Sequence, residues 1–217
     1  MKTLKEAREY GKISFTNSKM PESTFSFHTD VCFKKCSFCY ARKIEKRYPS
    51  VLQHGINNYK GYLKADKMQW VDSMVYQINN YNVKHHRWFA GGDLPKDQSF
   101  QCLIDIIEVC KQTPNTKHWL PTKDYKAIAL LLKSNIDVPK NLVIRVSSPI
   151  IDGKPLAISK KKDRVLSSTI FTVKLKENNE LDFVNVKCNA ELNKPKNCGD
   201  CRACWDEKID NVSYPLT

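Results

Sequence analysis

The chain has 217 residues, of which 41% are hydrophobic and 27% are charged, and this composition excludes an intrinsically disordered protein. Lysine and arginine total 36 against 23 acidic residues, a formal charge of +13 that favours acidic partners, either nucleic acid or an acidic protein. The longest apolar run, residues 127–132, is far shorter than a membrane span. With no secretory-type apolar segment near residue 1, the sequence predicts a cytoplasmic protein with no membrane partner.

Strands and helices are predicted to alternate through the first 150 residues. The clearest helix is 67–81, where four apolar residues recur at i, i+3, i+4 and i+7: Val71, Met74, Val75 and Ile78. The other predicted helices are 41–47, 98–111 and 125–133, and the predicted strands are 24–30, 87–90, 118–120 and 142–146. This alternation predicts an α/β fold in which a parallel sheet is joined by crossover helices.

Chemically distinctive residues follow each of the four predicted strands. In chain order they are a cysteine loop at 32–39, Gly91-Gly92-Asp93, Thr122-Lys123 and Ser147. Because ligands of α/β folds bind at the carboxyl ends of parallel strands, we expect these four loops to converge on one site.

The pattern changes after residue 149. Residues 168–176 and 181–187 predict two strands with no helical period between them, and the last thirty or so residues form a cysteine-rich tail. The sequence therefore predicts two parts: a βα core over residues 1–150, and a β-rich segment with the cysteine-rich tail over residues 151–217.

Nine cysteines in a chain expected to be cytoplasmic indicate metal binding rather than disulfides. Cys32, Cys36 and Cys39 supply three thiolates from one short loop. Three thiolates bind three irons of a [4Fe–4S] cubane and leave the fourth iron open to a small-molecule ligand. The alternative is a zinc knuckle, which fits less well because zinc prefers four ligands in paired C-x2-C units.

The segment from Cys32 to Tyr40 resembles the signature loop of the radical S-adenosylmethionine (SAM) superfamily, including the aromatic residue before the last cysteine. The resemblance implies that the open iron binds SAM, and that Phe38 and Tyr40 flank its adenine. It further implies that an electron donor such as flavodoxin or ferredoxin reduces the cluster, which then cleaves SAM to a radical that abstracts hydrogen from a substrate.

The glycine pair lies where that superfamily carries a Gly-Gly-Glu-type motif holding the SAM amino group. The resemblance implies that Gly91 and Gly92 let the backbone approach SAM and that Asp93 pairs with its ammonium, although Asp is one methylene shorter than Glu. It also implies that Ser147 approaches the SAM ribose. Thr122 and Lys123 are candidates to face SAM or substrate, and the alternative for Thr122 is a helix cap.

A second cysteine group consists of Cys188, Cys198, Cys201 and Cys204. Its C-x2-C-x2-C run resembles the cluster loop of ferredoxins, with a fourth thiolate from elsewhere in the chain. Four thiolates would coordinate a second [4Fe–4S] cluster completely, for a structural or an electron-relay role. A zinc site with the same four ligands stays open as the alternative.

The tail sharpens the family resemblance. The segment from Asn197 to Asp206, joined to the first cysteine loop in a short basic chain, resembles the phage-type gene product 88 family, which has no established function. A phage-encoded protein would work in the host cytoplasm. Since a full radical SAM core has six βα units and this chain predicts four, we expect a partial or truncated (β/α) barrel of that type with a cysteine-rich C-terminal extension.

Basic residues offer a candidate contact surface for nucleic acid. Lys43, Lys46 and Arg47 lie in the predicted helix 41–47, and residues 160–162 are three consecutive lysines. They are candidates for a phosphate-binding surface, and the alternative is an ordinary solvated face.

Three functions are consistent with these patterns. The first is a radical SAM enzyme acting on a macromolecule, either nucleic acid or peptide. The second is a non-catalytic iron–sulfur protein with a redox, electron-transfer or nucleic-acid-binding regulatory role. The third is a zinc-stabilised nucleic-acid binder.

Overall fold

The computed structural model describes residues 1, 3–15, 17, 20, 22–33, 36–37, 39–156, 158, 165–171, 186–188, 190 and 196–215. Phe38 and the lysines 160–162 lie outside the described residues. So do residues 172–176 and 181–185 of two predicted strands.

Seven parallel strands form one sheet that curls into a half-barrel. They are β1 (Ser23–Phe25), β2 (His85–Trp88), β3 (Lys117–Thr122), β4 (Leu142–Ile151), β5 (Val165–Phe171), β6 (Val186–Lys187) and β7 (Asn211–Pro215). The strand order is β1-β2-β3-β4-β5-β7-β6, and every neighbouring pair is parallel. The predicted parallel α/β fold is therefore confirmed, and the sheet is a partial barrel.

Six α-helices accompany the described part of the sheet. They are α1 (Leu4–Arg8), α2 (Tyr40–Arg47), α3 (Pro49–Lys64), α4 (Lys67–Asn80), α5 (Ser99–Gln112) and α6 (Tyr125–Lys133). Two short 3-10 turns lie at Thr29–Val31 and Ala203–Trp205. No helix in the described part of the chain is both long enough and apolar enough to span a membrane.

The main core lies between the helices and one face of the sheet. The predicted apolar face of α4 is confirmed, since Met74 and Ile78 have no solvent-exposed surface. Trp70 of α4 packs against Trp88 of β2, with ring centroids 6.0 Å apart. Alternation along β2 therefore turns His86 and Trp88 toward the helices, and Arg87 toward the opposite face.

The sequence analysis predicts no helix between residues 48 and 66, because a proline after the helix 41–47 is typical of a helix end, whereas Pro49 is the first residue of α3. Proline suits that position, where its missing N–H has no partner to lose. A Cβ on Gly55 of α3 would lie 2.7 Å from the backbone nitrogen of His28. Only glycine allows this close contact, which braces the chain just before the first cysteine loop.

The tail adds β7 to the sheet, a strand that the sequence analysis does not predict. β7 lies between β5 and β6, although it follows both in the chain. This order places residues 211–215 inside a sheet that begins at residue 23, so the sheet continues across the predicted boundary at residue 150. The division into parts 1–150 and 151–217 stays a prediction.

Candidate metal centre

The four loops expected to converge do lie together at the carboxyl edge of β1–β4. The Gly91 amide donates to Ser26 Oγ after β1 at 3.0 Å. The Lys123 amide after β3 donates to Asp93 Oδ2 at 2.7 Å. Tyr125 Oη donates to the Ser147 carbonyl in β4 at 2.8 Å. These hydrogen bonds connect each loop to a neighbouring one.

The start of the first cysteine loop is anchored by two other segments of the chain. Just before it, the Glu45 carboxylate accepts hydrogen bonds from the Thr29 amide at 2.8 Å and from the Thr29 hydroxyl. At its first residue, Cys32 forms an antiparallel bridge with Pro95, and the Lys96 amide donates to the Val31 carbonyl at 2.8 Å. The loop is therefore held against the segment that follows Gly91-Gly92-Asp93.

The three thiols of this loop differ in environment. Burial, with smaller contributions from the Asp93 carboxylate and Cys39, raises the pKa of the Cys32 thiol to about 12. Cys36 is half-buried, and the Lys123 ammonium donates to its Sγ at 3.6 Å. Cys32 and Cys39 are thus close enough to interact electrostatically, and a cation faces Cys36.

No three His, Cys, Asp or Glu side chains within the described ranges lie together as ligands of one metal ion. A cubane differs from a single ion, because each thiolate binds a separate iron corner. Three thiols on one loop, with a lysine ammonium facing one of them, are a donor set that fits such a cluster. The bound group would be anionic, and Lys123 would offset part of its charge.

The backbone beside this loop has positive φ angles at two positions. Buried Phe89 has φ 52°, and Gly92 has φ 76°. A Cβ on Gly92 would lie 2.6 Å from the Phe27 carbonyl oxygen. Gly92 is therefore required both for its left-handed conformation and for its contact with the chain leading to the cysteines.

Gly92→Ala is expected to lower the free energy of unfolding by at least about 2 kcal/mol, since left-handed strain and the backbone clash add. The matched control is Gly199→Ala, where φ is 49° and nothing lies within 4 Å of an added Cβ. The control should cost only the strain, roughly 1 kcal/mol. Urea unfolding of both variants measures this difference, and equal losses would contradict the clash.

Asp93 is engaged with the protein itself. Its Oδ1 accepts from the Leu94 amide and from Thr122 Oγ1, both at 2.7 Å, and its Oδ2 accepts from Lys123. Burial nevertheless raises the pKa of this carboxyl to about 6. The protein itself therefore uses three of the roughly four acceptor positions of this carboxylate.

The remaining predicted cofactor residues are placed as follows. The Tyr40 hydroxyl donates to the Ala90 carbonyl, which precedes the glycine pair. Ser147 Oγ, in β4, accepts from Ser168 Oγ at 3.1 Å. Thr122 does not cap α6, because Asp124 Oδ1 accepts from the Ala127 amide at 2.9 Å and is the cap.

The second cysteine group lies on the face of the sheet opposite α4 and α5. The Cys188 amide donates to the Ser213 carbonyl of β7 at 2.8 Å. Burial, with a smaller contribution from Cys188, raises the pKa of the Cys204 thiol to about 12. Burial likewise raises the pKa of the Cys198 thiol, and the nearby Cys188 and Cys201 make smaller contributions in the same direction. Cys188 is therefore near the C-x2-C-x2-C loop in space, although it lies ten positions before Cys198 in the chain.

Arg145 holds the second cysteine loop in place. It lies in the middle of β4 and has no solvent-exposed surface. Its guanidinium donates at 2.9–3.3 Å to five backbone carbonyls, those of Ser167, Ala203, Cys204, Asp206 and Ile209. Four of the five acceptors belong to the tail. Sequence reasoning missed this residue, whose one signal was a single cation in an apolar strand.

Arg87 lies between the two cysteine groups. Its guanidinium carbon is 4.4 Å from the ring centroid of Trp119, and its Nη2 donates to the Tyr40 hydroxyl at 3.3 Å. Its charge also lowers the pKa of Cys198 and Cys204, although burial raises both overall. Arg87 thus connects the residue after Cys39 with the second group.

Comparison with known proteins identifies one family. A family profile described as "Gene product 88" matches residues 2–207, a span that includes both cysteine groups. No curated protein and no solved structure matches the chain significantly.

Proposed function

The chain belongs to the gene product 88 family, and from this premise we propose that it is an iron–sulfur protein whose Cys32, Cys36 and Cys39 hold a SAM-binding [4Fe–4S] cluster. The family match covers both cysteine groups, so both belong to the unit that defines the family. We further propose that the half-barrel is of the radical SAM type and that the protein is an enzyme acting on a macromolecule.

One observation carries this proposal. The loop with three cysteines and the Gly91-Gly92-Asp93 segment lie at the same carboxyl edge of a parallel sheet, joined through Cys32 and Pro95. This edge is where α/β folds bind their ligands. Strained Phe89 supports a site here, because residues in rare backbone conformations cluster at functional sites.

Each residue of the site has a distinct role in the proposal. A cluster bound by the three thiolates would supply the reducing electron and an open iron for SAM. Lys123 faces the thiolate of Cys36 and offsets its charge. Gly92 packs against the Phe27 carbonyl and so fixes the position of the neighbouring Gly91 and Asp93 beside the cysteine loop. Tyr40 orients the start of α2 through its hydrogen bond to Ala90.

The second group is proposed to hold a fully coordinated [4Fe–4S] cluster through Cys188, Cys198, Cys201 and Cys204. Arg87 and Arg202 support an anionic occupant, since both guanidinium groups act on the Cys198 thiol. Zinc is the alternative occupant of the same four thiolates. Thiolate ligands of this kind persist in a reducing compartment such as the cytoplasm, where a soluble electron donor would act.

A non-catalytic iron–sulfur protein is the second candidate. The observation that favours it is the Asp93 carboxylate, which already accepts three hydrogen bonds from the protein. The described strands form a half-barrel and not a closed barrel, whereas a radical enzyme must exclude water from its site. This candidate predicts two clusters and no cleavage of SAM.

Anaerobic reconstitution with iron and sulfide tests the proposal. We expect about eight irons per chain and a reduced-cluster electron paramagnetic resonance signal that SAM perturbs. Cys36→Ala should reduce the iron to about four and abolish the SAM response. The matched control is Cys102→Ala, which removes a buried thiol of α5 outside both cysteine groups and should leave iron and SAM response unchanged.

Three outcomes separate the candidates. A SAM-perturbed signal with release of 5′-deoxyadenosine supports the enzyme. A cluster signal that SAM does not change supports the non-catalytic protein. Iron-free, zinc-containing protein after anaerobic purification contradicts the first site and the second cluster together.

A further inference from the structure

The segment formed by α2 and α3, residues 40–64, has an unusual balance of charge. It contains six cations, Arg42, Lys43, Lys46, Arg47, Lys60 and Lys64, and a single acidic residue, Glu45. Glu45 is buried and its carboxylate is bonded to Thr29, so it does not neutralise the surface. The charged residues exposed on this segment are therefore all cations.

Two of these cations have acidic neighbours. Arg42 lies 3.9 Å from Asp30, and Lys64 lies 4.0 Å from Glu9. Lys43, Lys46 and Arg47 form no ion pair with any residue that the structure describes. Residues three and four positions apart share a helix face, so these three cations form one continuous basic patch on α2.

Exposed aromatic side chains accompany the basic patch. Tyr48 is 51% exposed and Tyr40 is 40% exposed, at opposite ends of α2. The guanidinium of Arg47 lies 5.9 Å from the Tyr48 ring centroid. All of residues 46–51 are exposed. Cations interleaved with exposed rings bind single-stranded nucleic acid, because phosphates pair with the cations while unpaired bases stack on the rings.

The patch is adjacent to the proposed cofactor site. α2 begins at the residue after Cys39, and Tyr40 is hydrogen-bonded to Ala90 at the carboxyl end of β2. A single strand of nucleic acid lying along α2 would therefore place nucleotides beside the first cysteine loop. A duplex would fit less well, because its paired bases are unavailable for stacking on tyrosine.

We propose that the surface of α2 and the α2–α3 junction, built on Lys43, Lys46, Arg47, Tyr40 and Tyr48, binds single-stranded nucleic acid. This inference rests on the proposed function in one respect, since it names the macromolecular substrate of that site. Charge and exposure of the surface carry the binding itself, whatever occupies the cysteines.

Fluorescence anisotropy tests the binding, with the full chain and a labelled single strand of about 20 nucleotides, longer than one typical binding site. The triple variant Lys43→Gln, Lys46→Gln, Arg47→Gln should weaken binding at least tenfold. It should also reduce the slope of log affinity against log salt by about 2, because each single-strand phosphate contact contributes about 0.7. Tyr48→Ala should weaken binding about five- to hundredfold through lost stacking.

A matched triple variant controls for net charge. Lys5→Gln, Lys84→Gln, Lys133→Gln removes three exposed lysines from α1, the turn before β2 and α6, and should change the affinity less than threefold. Equal losses in both triple variants would show attraction by net charge alone and would overturn the proposal. Tighter binding to a matched duplex, to an acidic peptide or to anionic vesicles than to the single strand would overturn it as well.

The same samples distinguish failure of this inference from failure of the proposed function. Binding is measured with and without anaerobic cluster loading, and iron is determined on each sample. Binding by protein that takes up no iron on anaerobic loading would refute the cluster and leave the surface standing. A SAM-responsive cluster in a protein that binds no single strand would refute the surface and leave the cluster standing.

Discussion

Replacing Arg145 with methionine is expected to release the tail from the sheet and to lower the free energy of unfolding by about 4 kcal/mol. Arg145 is completely buried and donates to five carbonyls, four of them in residues 203–209. Methionine would fill much of the volume but would leave these acceptors without donors. Each buried polar group left unpaired costs about 1–3 kcal/mol, and part of this cost is recovered where water enters.

The measurement is urea unfolding of the variant, with the reactivity of Cys204 toward a thiol reagent as a local readout. Arg145→Lys should lose less stability than the methionine variant, because an ammonium keeps the charge and three of the donors. The matched control is Arg202→Met, whose guanidinium donates at the surface to the Gly199 and Cys201 carbonyls. It should cost under about 1 kcal/mol, as expected for an exposed group.

Metal content gives a second test of Arg145. If it positions the second cysteine group, the methionine variant should lose the metal of that group and keep the SAM-responsive signal of the first. Unchanged stability and unchanged metal content in Arg145→Met would refute a positioning role for Arg145.

Acid is expected to destabilise the protein through two buried histidines on neighbouring strands. His86 and His118 have no exposed surface, and their ring centroids lie 5.7 Å apart. Burial lowers the pKa of His118 to about 3, and burial and His118 lower the pKa of His86 well below its usual value. Both are neutral when folded. The unfolded chain binds their protons below pH 6.5, so stability present above that pH is lost as the pH falls.

Each of these histidines should reduce the free energy of unfolding by about 1.4 kcal/mol per pH unit between pH 6 and pH 4. Asp93 acts in the opposite direction, because its raised pKa of about 6 gives stability that is present in acid and is lost as the pH rises from 3.8 to 6. A comparison of variants removes this effect. His118→Gln keeps a side-chain partner for Thr113 Oγ1 and should flatten the acid slope by about 1.4 kcal/mol per unit.

Urea unfolding across pH 7 to pH 4 measures the slope. His54→Gln is the control. Burial also lowers the pKa of His54, but this side chain is only half-buried and so is less enclosed than His118. Its slope should therefore change less than that of His118→Gln. An unchanged slope in His118→Gln would show that this imidazole becomes protonated within the folded protein.

The helices and the order of strands and helices were predictable because they depend on local patterns in the sequence. The apolar period of α4 and the alternation of strand and helix depend on residues only a few positions apart, and both were confirmed. Helix α3 was missed because proline permits two local outcomes, ending one helix or beginning the next. The contact between Gly55 and the backbone of His28 supports the second outcome, and this contact spans 27 positions of the chain.

The convergence of the four loops followed from strand order, which a βα pattern predicts. The hydrogen-bond partners of each side chain could not be predicted from strand order. Asp93 was assigned to a ligand by position, whereas the folded chain provides it with donors from residues 94, 122 and 123. Hydrogen bonds of this kind depend on angles and on distances of a few tenths of an ångström, which a sequence pattern does not contain.

The sequence by itself determined that this protein is a parallel α/β fold with two groups of cysteines, because periodicity and spacing are written along the chain. Only the tertiary structure decided what supports those groups. Arg145 meets its tail acceptors 58 to 64 positions further along the chain, and Glu45 turns inward, leaving a basic face on α2. Burying a charge is costly unless partners surround it, and such partners come together only when distant segments fold against one another.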